Sequence, residues 1–149
     1  MNDTYVTICG NATAHPLTRT TSKGEPMVKI RLASTPWRYD SDQRRYVDMP
    51  TNFVDVLAFR HLARHVQASV SKGDPLVVHG RLRVVPWERD GRTGTNVEIE
   101  ASTIGHDMNR GVAAFTRANQ AEPARQEAPA YPTPDPAAAD TDEYVVHSA

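Results

Sequence analysis

A single cysteine, Cys9, in a chain of 149 residues removes two classes of protein at the start. It cannot close a disulfide within the chain, and it leaves no Cys-Cys spacing for a structural metal. No stretch approaches the ~20 apolar residues that a membrane-spanning helix needs. The opening Met-Asn-Asp-Thr-Tyr lacks the basic segment and apolar run of a secretory leader, so the default expectation is a cytoplasmic protein. Net charge is almost absent too, but the formal value of -1 hides an asymmetry along the chain. With two Trp and three Phe in the chain, the position of each large ring becomes informative.

What is present divides near Gly111. Residues 1–110 have the composition of one soluble globular domain. Residues 111–149 are rich in Ala, Pro, Gln and acidic side chains, with Pro123, Pro129, Pro132, Pro134 and Pro136 closely spaced. Such a segment buries too little apolar surface to offset its ordering entropy, and a disordered, acidic Pro/Ala-rich tail is expected. Charge divides in the same place, roughly +3 for the body and roughly -4 for the tail. This asymmetry hints at a polyanion partner but is weak alone, so the placement of the charges matters more than their sum.

Period-two alternation recurs through the body and predicts half-buried strands. Val6, Ile8 and Gly10 alternate with Tyr5, Thr7, Cys9 and Asn11. Val28, Ile30 and Leu32 alternate with Met27, Lys29, Arg31, Ala33, Thr35 and, if the phase survives Pro36, Trp37. A third strand near Asn52 to Phe59 sets Val54, Val56 and Ala58 against Phe53, Asp55, Leu57 and Phe59; an Asp between two Phe predicts that the second face is wet. A fourth puts Leu76, Val78, Gly80, Leu82 and Val84 inside, opposite Val77, His79, Arg81, Arg83, Val85 and Trp87. A fifth turns Val97, Ile99 and Ala101 inward and Asn96, Glu98 and Glu100 outward.

Turn residues separate these runs at Lys23-Gly24, Asp40-Ser41-Asp42 and Asp90-Gly91. Between the third and fourth strands, His61-Leu62-Ala63-Arg64-His65-Val66 carries helical spacing and Lys72-Gly73-Asp74 stops it. Five strands with one helix in that place is the layout of an all-β, OB-fold barrel.

The outward sets combine aromatics and cations: Lys29, Arg31 and Trp37, then Phe53 and Phe59, then His79, Arg81, Arg83 and Trp87. Large rings on the polar faces of several strands are poorly explained by folding alone. Single-stranded nucleic acid suits them, because unpaired bases stack on aromatic rings while Lys and Arg neutralise phosphates. Two plainer accounts stand beside this one. A reversed phase in the third strand makes Phe53 and Phe59 core residues, and Trp37 and Trp87, at strand ends, could cap a barrel without binding anything.

Enzyme chemistry finds little support. His61 and His65 share a helical face but have no third ligand, and zinc sites need three or four. Cys9 has no activating His placed by sequence. Asp40 with Asp42 and Glu98 with Glu100 do not converge with other carboxylates as two-metal catalysis requires. No cofactor or metal is expected. The stronger rival is a protein-interaction or oligomerisation module on an OB scaffold that binds no nucleic acid, since fold alone does not fix function.

Over residues 4–105 the chain resembles the bacterial single-stranded DNA-binding protein family. The pieces that carry the likeness are Thr7-Ile8-Cys9-Gly10-Asn11 with His15-Pro16, Val28-Lys29-Ile30-Arg31-Leu32-Ala33, Asn52-Phe53-Val54-Asp55-Val56-Leu57-Ala58-Phe59 with Leu62-Ala63, and Lys72-Gly73-Asp74 leading to Val78-His79-Gly80-Arg81-Leu82. Each piece is modest; their order and spacing together are specific. The resemblance implies stacking aromatics at Trp37, Phe53, Phe59 and Trp87, with Phe53 where Trp is common, and phosphate contacts at Lys72, Arg81 and Arg83. It also implies a homotetramer acting on single-stranded DNA at the nucleoid, in replication, repair, recombination or DNA uptake. The segment from Arg38 to Met49, with Arg44, Arg45 and Tyr46, looks like the family's mobile loop.

Two departures stand out. Val85 and Pro86 precede Trp87 where basic residues are common, and Asp55 lies between the two Phe platforms; both are expected to lower affinity. The chain closes on Asp140-Thr141-Asp142-Glu143-Tyr144-Val145-Val146-His147-Ser148-Ala149, acidic but without a terminal Phe, which points to a secondary paralogue with altered partner docking.

Overall fold

A computed structural model describes residues 2–118. Among these the chain forms eight strands and one helix: β1 (Tyr5–Ala12), β2 (Leu17–Thr20), β3 (Pro26–Ser34), β4 (Trp37–Asp40), β5 (Arg45–Asp48), β6 (Asn52–Phe59), α1 (Arg60–Ser69), β7 (Pro75–Arg89) and β8 (Arg92–His106). The compact unit that holds them ends at Ala113; a second begins at Ala114, and residues 114–118 are exposed without strand or helix. Most of the expected tail, including its acidic end, lies outside the described residues.

Five strands close into a ring. β1 pairs antiparallel with β7, β7 with β8, β8 parallel with β6, β6 antiparallel with β3, and β3 returns to β1 through Asn11↔Ala33 and Ala12↔Leu32. Closure leaves no unpaired edge between these strands, which is how small barrels solve the edge problem. β2 adds to the outside of β3, and β4 with β5 makes a separate two-stranded hairpin.

The inward positions fill the barrel with Val28, Ile30, Leu32, Val54, Val56, Ala58, Leu76, Val78 and Ile99. Each large aliphatic side chain so buried contributes ~1.5–3 kcal/mol, a sizeable fraction of the 5–15 kcal/mol by which domains are typically stable. Helix α1 lies against β3, β6 and β8, and buries Ala63 and Val66 on the stripe predicted from its spacing. No side chain caps its start, so packing holds it rather than end chemistry. Its first residue, Arg60, has a left-handed φ of 57° and is tied to Glu25 by an ion pair of 3.3 Å. Gly80 marks the β7–β8 register shift, where a Cβ would strike the Glu100 carbonyl.

Five expectations need correction. β2 and the β4–β5 hairpin were not among the five strands, because their short polar segments carry no apolar alternation. The second strand stops at Ser34, and Trp37 starts a new one beyond Pro36, which cannot donate to a ladder. Val84 and Val97, read as inward, are exposed at 59% and 37%: they keep the inward parity but stand opposite one another where the β7–β8 hairpin has left the barrel. Leu57, read as outward, is buried on the outer side of β6. Asp55 does not mark a wet face, for it is only 3% exposed beneath the side chains of β3.

Candidate nucleic-acid interface

Directly paired residues in a sheet project to the same side, so the registers define rows across the barrel's outer surface. One row runs Arg31↔Asp55↔Glu98↔Arg83 through β3, β6, β8 and β7. The next runs Lys29↔Leu57↔Glu100↔Arg81, with Tyr5 of β1 paired to Arg81. Phe53 and Phe59 flank these rows on β6, opposite Ala33 and Met27. Trp87 has the parity of Arg81 and Arg83 but stands farther out, on the projecting hairpin.

None of the four predicted aromatics belongs to the core. Trp37 is 64% exposed, Phe53 51% and Trp87 40%, while Phe59 is half-buried at the end of β6. The reversed-phase account of β6 is therefore wrong at Phe53. Trp87 lies against the backbone of its partner strand at Gly94, where a Cβ would come within 2.6 Å of indole Cε2. Absence of a side chain at 94 is what lets the indole settle there.

Trp37 meets Tyr46 edge to face at 4.5 Å between ring centroids, and Tyr39 meets Tyr46 at 5.3 Å. The segment read as the family's mobile loop forms the β4–β5 hairpin, whose rings Trp37, Tyr39 and Tyr46 cluster together. Its turn includes Arg44 at a left-handed φ of 53°, while the Arg45 guanidinium donates to the Gln43 side-chain oxygen at 2.8 Å. A hydrogen bond of 2.7 Å between the Thr35 and Thr51 hydroxyls joins the chain entering the hairpin to the chain leaving it.

The predicted cations fall into two groups. Lys29 and Arg31 both pair with Asp55, at 3.3 and 3.1 Å. Arg81 pairs with Glu100 at 2.7 Å and with Asp3 at 3.8 Å, and Arg83 reaches Glu100 at 3.9 Å. Glu100, through its hydrogen bond and its charge, raises the Arg81 pKa further above its already high value. By contrast Arg44, Arg45 and Lys72 have no carboxylate partner among the described residues. Lys72 sits in the α1–β7 turn, whose Gly73 N–H donates to the Ala12 carbonyl at the end of β1.

Tyr39 and Tyr46 were not singled out as platforms, although Trp37-Arg38-Tyr39 and Arg45-Tyr46 on either side of an Asp-bearing turn carry a hairpin signal. Tyr5 was also passed over; it stacks on His79 at 5.9 Å, and the His79 ring is bonded to the Thr7 hydroxyl at 2.8 Å. Away from these rows, Asp74 accepts the Ser71 N–H at 2.9 Å and lies 3.1 Å from His106 Nε2. The Ser71 backbone hydrogen bond is the largest influence and, with His106 and the charge of His15, holds its carboxyl below the usual 3.8, while burial pushes the other way. Among the described residues no three metal-ligating side chains come together, and no helix is long and apolar enough to cross a membrane.

A closed five-stranded barrel with a helix between its third and fourth ring strands defines an OB-fold protein. Residues 3–107 match the single-strand binding protein family, and the chain belongs to that family. Single-stranded DNA-binding protein 1 of Streptomyces coelicolor is 41% identical over 122 residues, 82% of this chain and 78% of its own. The single-stranded DNA-binding protein of Mycobacterium leprae is 35% identical over 119 residues, 79% of this chain and 71% of its own. Among solved structures, the crystal structure of a small single-stranded DNA-binding protein from Streptomyces coelicolor matches with a TM-score of 0.66 at 39% identity, covering 74% of this chain and 100% of that one. The second single-stranded DNA-binding protein of Mycobacterium smegmatis matches at 0.59 and 28% identity, covering 78% and 100%.

Proposed function

We propose that this protein binds single-stranded DNA with little sequence preference, by stacking bases on Trp37, Phe53, Phe59 and Trp87 and neutralising phosphates with neighbouring cations. The observation that carries this is the exposure of large rings outside a core that is complete without them. In single-strand binders a base stacked on an aromatic ring is worth ~1–3 kcal/mol by alanine substitution and tolerates any sequence, so several platforms suffice for tight binding. Tyr39 and Tyr46 extend the set, and Arg44, Arg45 and Lys72 are the nominated cations left free for phosphate. Sheltering the strand involves no chemical step, and the role fits replication, repair, recombination or uptake of DNA at the nucleoid.

Binding is assigned to residues 1–110, with 111–149 as an acidic tail, in a homotetramer whose subunits share the strand. Comparing oligo-dT with a duplex of equal length in a gel-shift titration tests the reading. Strong preference for the single strand is expected. Equal affinity for the duplex, or no binding to either, would overturn it in favour of an interaction module on the same barrel. Light scattering of the free protein checks the tetramer.

A further inference from the structure

Asp55 is the one buried charged residue among those described, and it sits in the middle of the aromatic face. Its two carboxylate oxygens are divided between two cations: Oδ2 faces Lys29 Nζ at 3.3 Å and Oδ1 accepts a hydrogen bond from Arg31 Nη1 at 3.1 Å. The carboxylate is 5% exposed, whereas the Lys29 and Arg31 side chains are 39% and 54% exposed. A desolvated carboxylate on a ring strand cannot move aside, while the two cations above it remain open to solvent. The Arg31 guanidinium also lies over the Phe53 ring, 5.2 Å from its centroid.

We infer that Asp55 is a built-in competitor of the DNA phosphate, a positioning residue that partly neutralises Lys29 and Arg31, holds Arg31 over Phe53, and thereby limits the salt dependence of binding. The inference deepens the single-strand-binding reading and rests on it. Phosphate binding gains free energy when Lys and Arg displace condensed counterions. Two cations that share one fixed carboxylate carry one net charge between them, so they displace fewer counterions than two free cations would. Glu100 bears on Arg81 and Arg83 in the same way, one register row over. The barrel face is thus biased toward stacking, whereas Arg44 and Arg45 of the β4–β5 hairpin and Lys72 of the α1–β7 turn have no carboxylate partner among the described residues.

The test is the slope of log affinity for oligo-dT against log salt, read by tryptophan quenching for the wild type and for Asp55→Asn. Freeing one unit of positive charge for a further phosphate should steepen the slope by ~0.7 and tighten low-salt binding several-fold. If Asp55→Asn does not fold, the same difference is read between Lys29→Gln and the double variant Lys29→Gln/Asp55→Asn, where the amide faces one cation instead of two. Normal quenching with equal or shallower slopes after loss of the carboxylate would overturn the inference and leave the binding reading standing. A wild type that oligo-dT does not quench would overturn both. A purely structural Asp55 would change melting temperature without changing the slope.

Discussion

β7 spends its first half inside the barrel wall and its second half beyond it. Leu76, at the start, is 1% exposed; Val84, eight residues on and on the same side of the strand, is 59% exposed. Alternation is unbroken between them, and Val84 still faces its register partner Val97. Parity therefore records which side of a strand a residue occupies, and the neighbouring strands decide whether that side is roofed. Where the ring encloses it, the side is core; where the hairpin projects alone, it becomes surface, and the other side of that hairpin carries Trp87.

The largest expected effect separates these halves by stability. Leu76→Ala should cost ~2–5 kcal/mol, as core truncations do, and Val84→Ala no more than ~0.5 kcal/mol. Urea denaturation of the two variants measures both. Equal losses would mean that the hairpin is covered in the working protein, as a tetramer could do.

Function should separate the halves in the opposite sense. Trp87→Ala should weaken oligo-dT binding by ~1–3 kcal/mol while leaving the unfolding midpoint almost unchanged. Gly94→Ala should follow it part of the way, since a methyl there cannot coexist with the present seat of the indole. Binding isotherms and denaturation curves of both variants check this; unfolding of Trp87→Ala would revive the barrel-cap account.

A smaller effect concerns the entry to β7, where Asp74 joins the α1–β7 turn to His106 at the end of β8. Its folded pKa is depressed below 3.8, so its stabilising contribution is fully present above that pH and is lost as pH falls through the folded value. Asp74→Asn should be less stable than the wild type at neutral pH, and the gap should close on acidification below pH 3.8. Thermal melts across pH 3 to 7 measure it, with pH 3 lying roughly one unit under the usual carboxylate range. The smallest effect is expected from ending the chain at Gly111. Oligo-dT affinity should hold nearly constant, because the removed segment is acidic and offers no assigned platform; a gel-shift comparison would expose a contribution.

Much of this was legible from residue order. The alternation of Val28, Ile30 and Leu32 and of Val54, Val56 and Ala58 placed the core, and the helical spacing through Ala63 and Val66 located α1 between the correct strands. Phe53 and Trp87 were readable as outward because their parity opposed that of the core. What alternation could not convey was depth and charge pairing. Val84 and Val97 were misplaced because period two is blind to where the ring stops. Asp55 was misread because its partners, Lys29 and Arg31, lie on another strand and become neighbours only through the β3–β6 register. The β4–β5 hairpin escaped because its rings pack on one another rather than on the core, leaving no apolar stripe to find.

Fluorescence addresses the outer face most directly, since the two tryptophans, Trp37 on the β4–β5 hairpin and Trp87 on the β7–β8 hairpin, are both proposed platforms. Titrating single-tryptophan proteins, Trp37→Phe and Trp87→Phe, with oligo-dT should give saturable quenching of the remaining indole in each. Unchanged emission from both indoles at concentrations that saturate DNA binding, or the absence of binding altogether, would contradict base stacking on this surface.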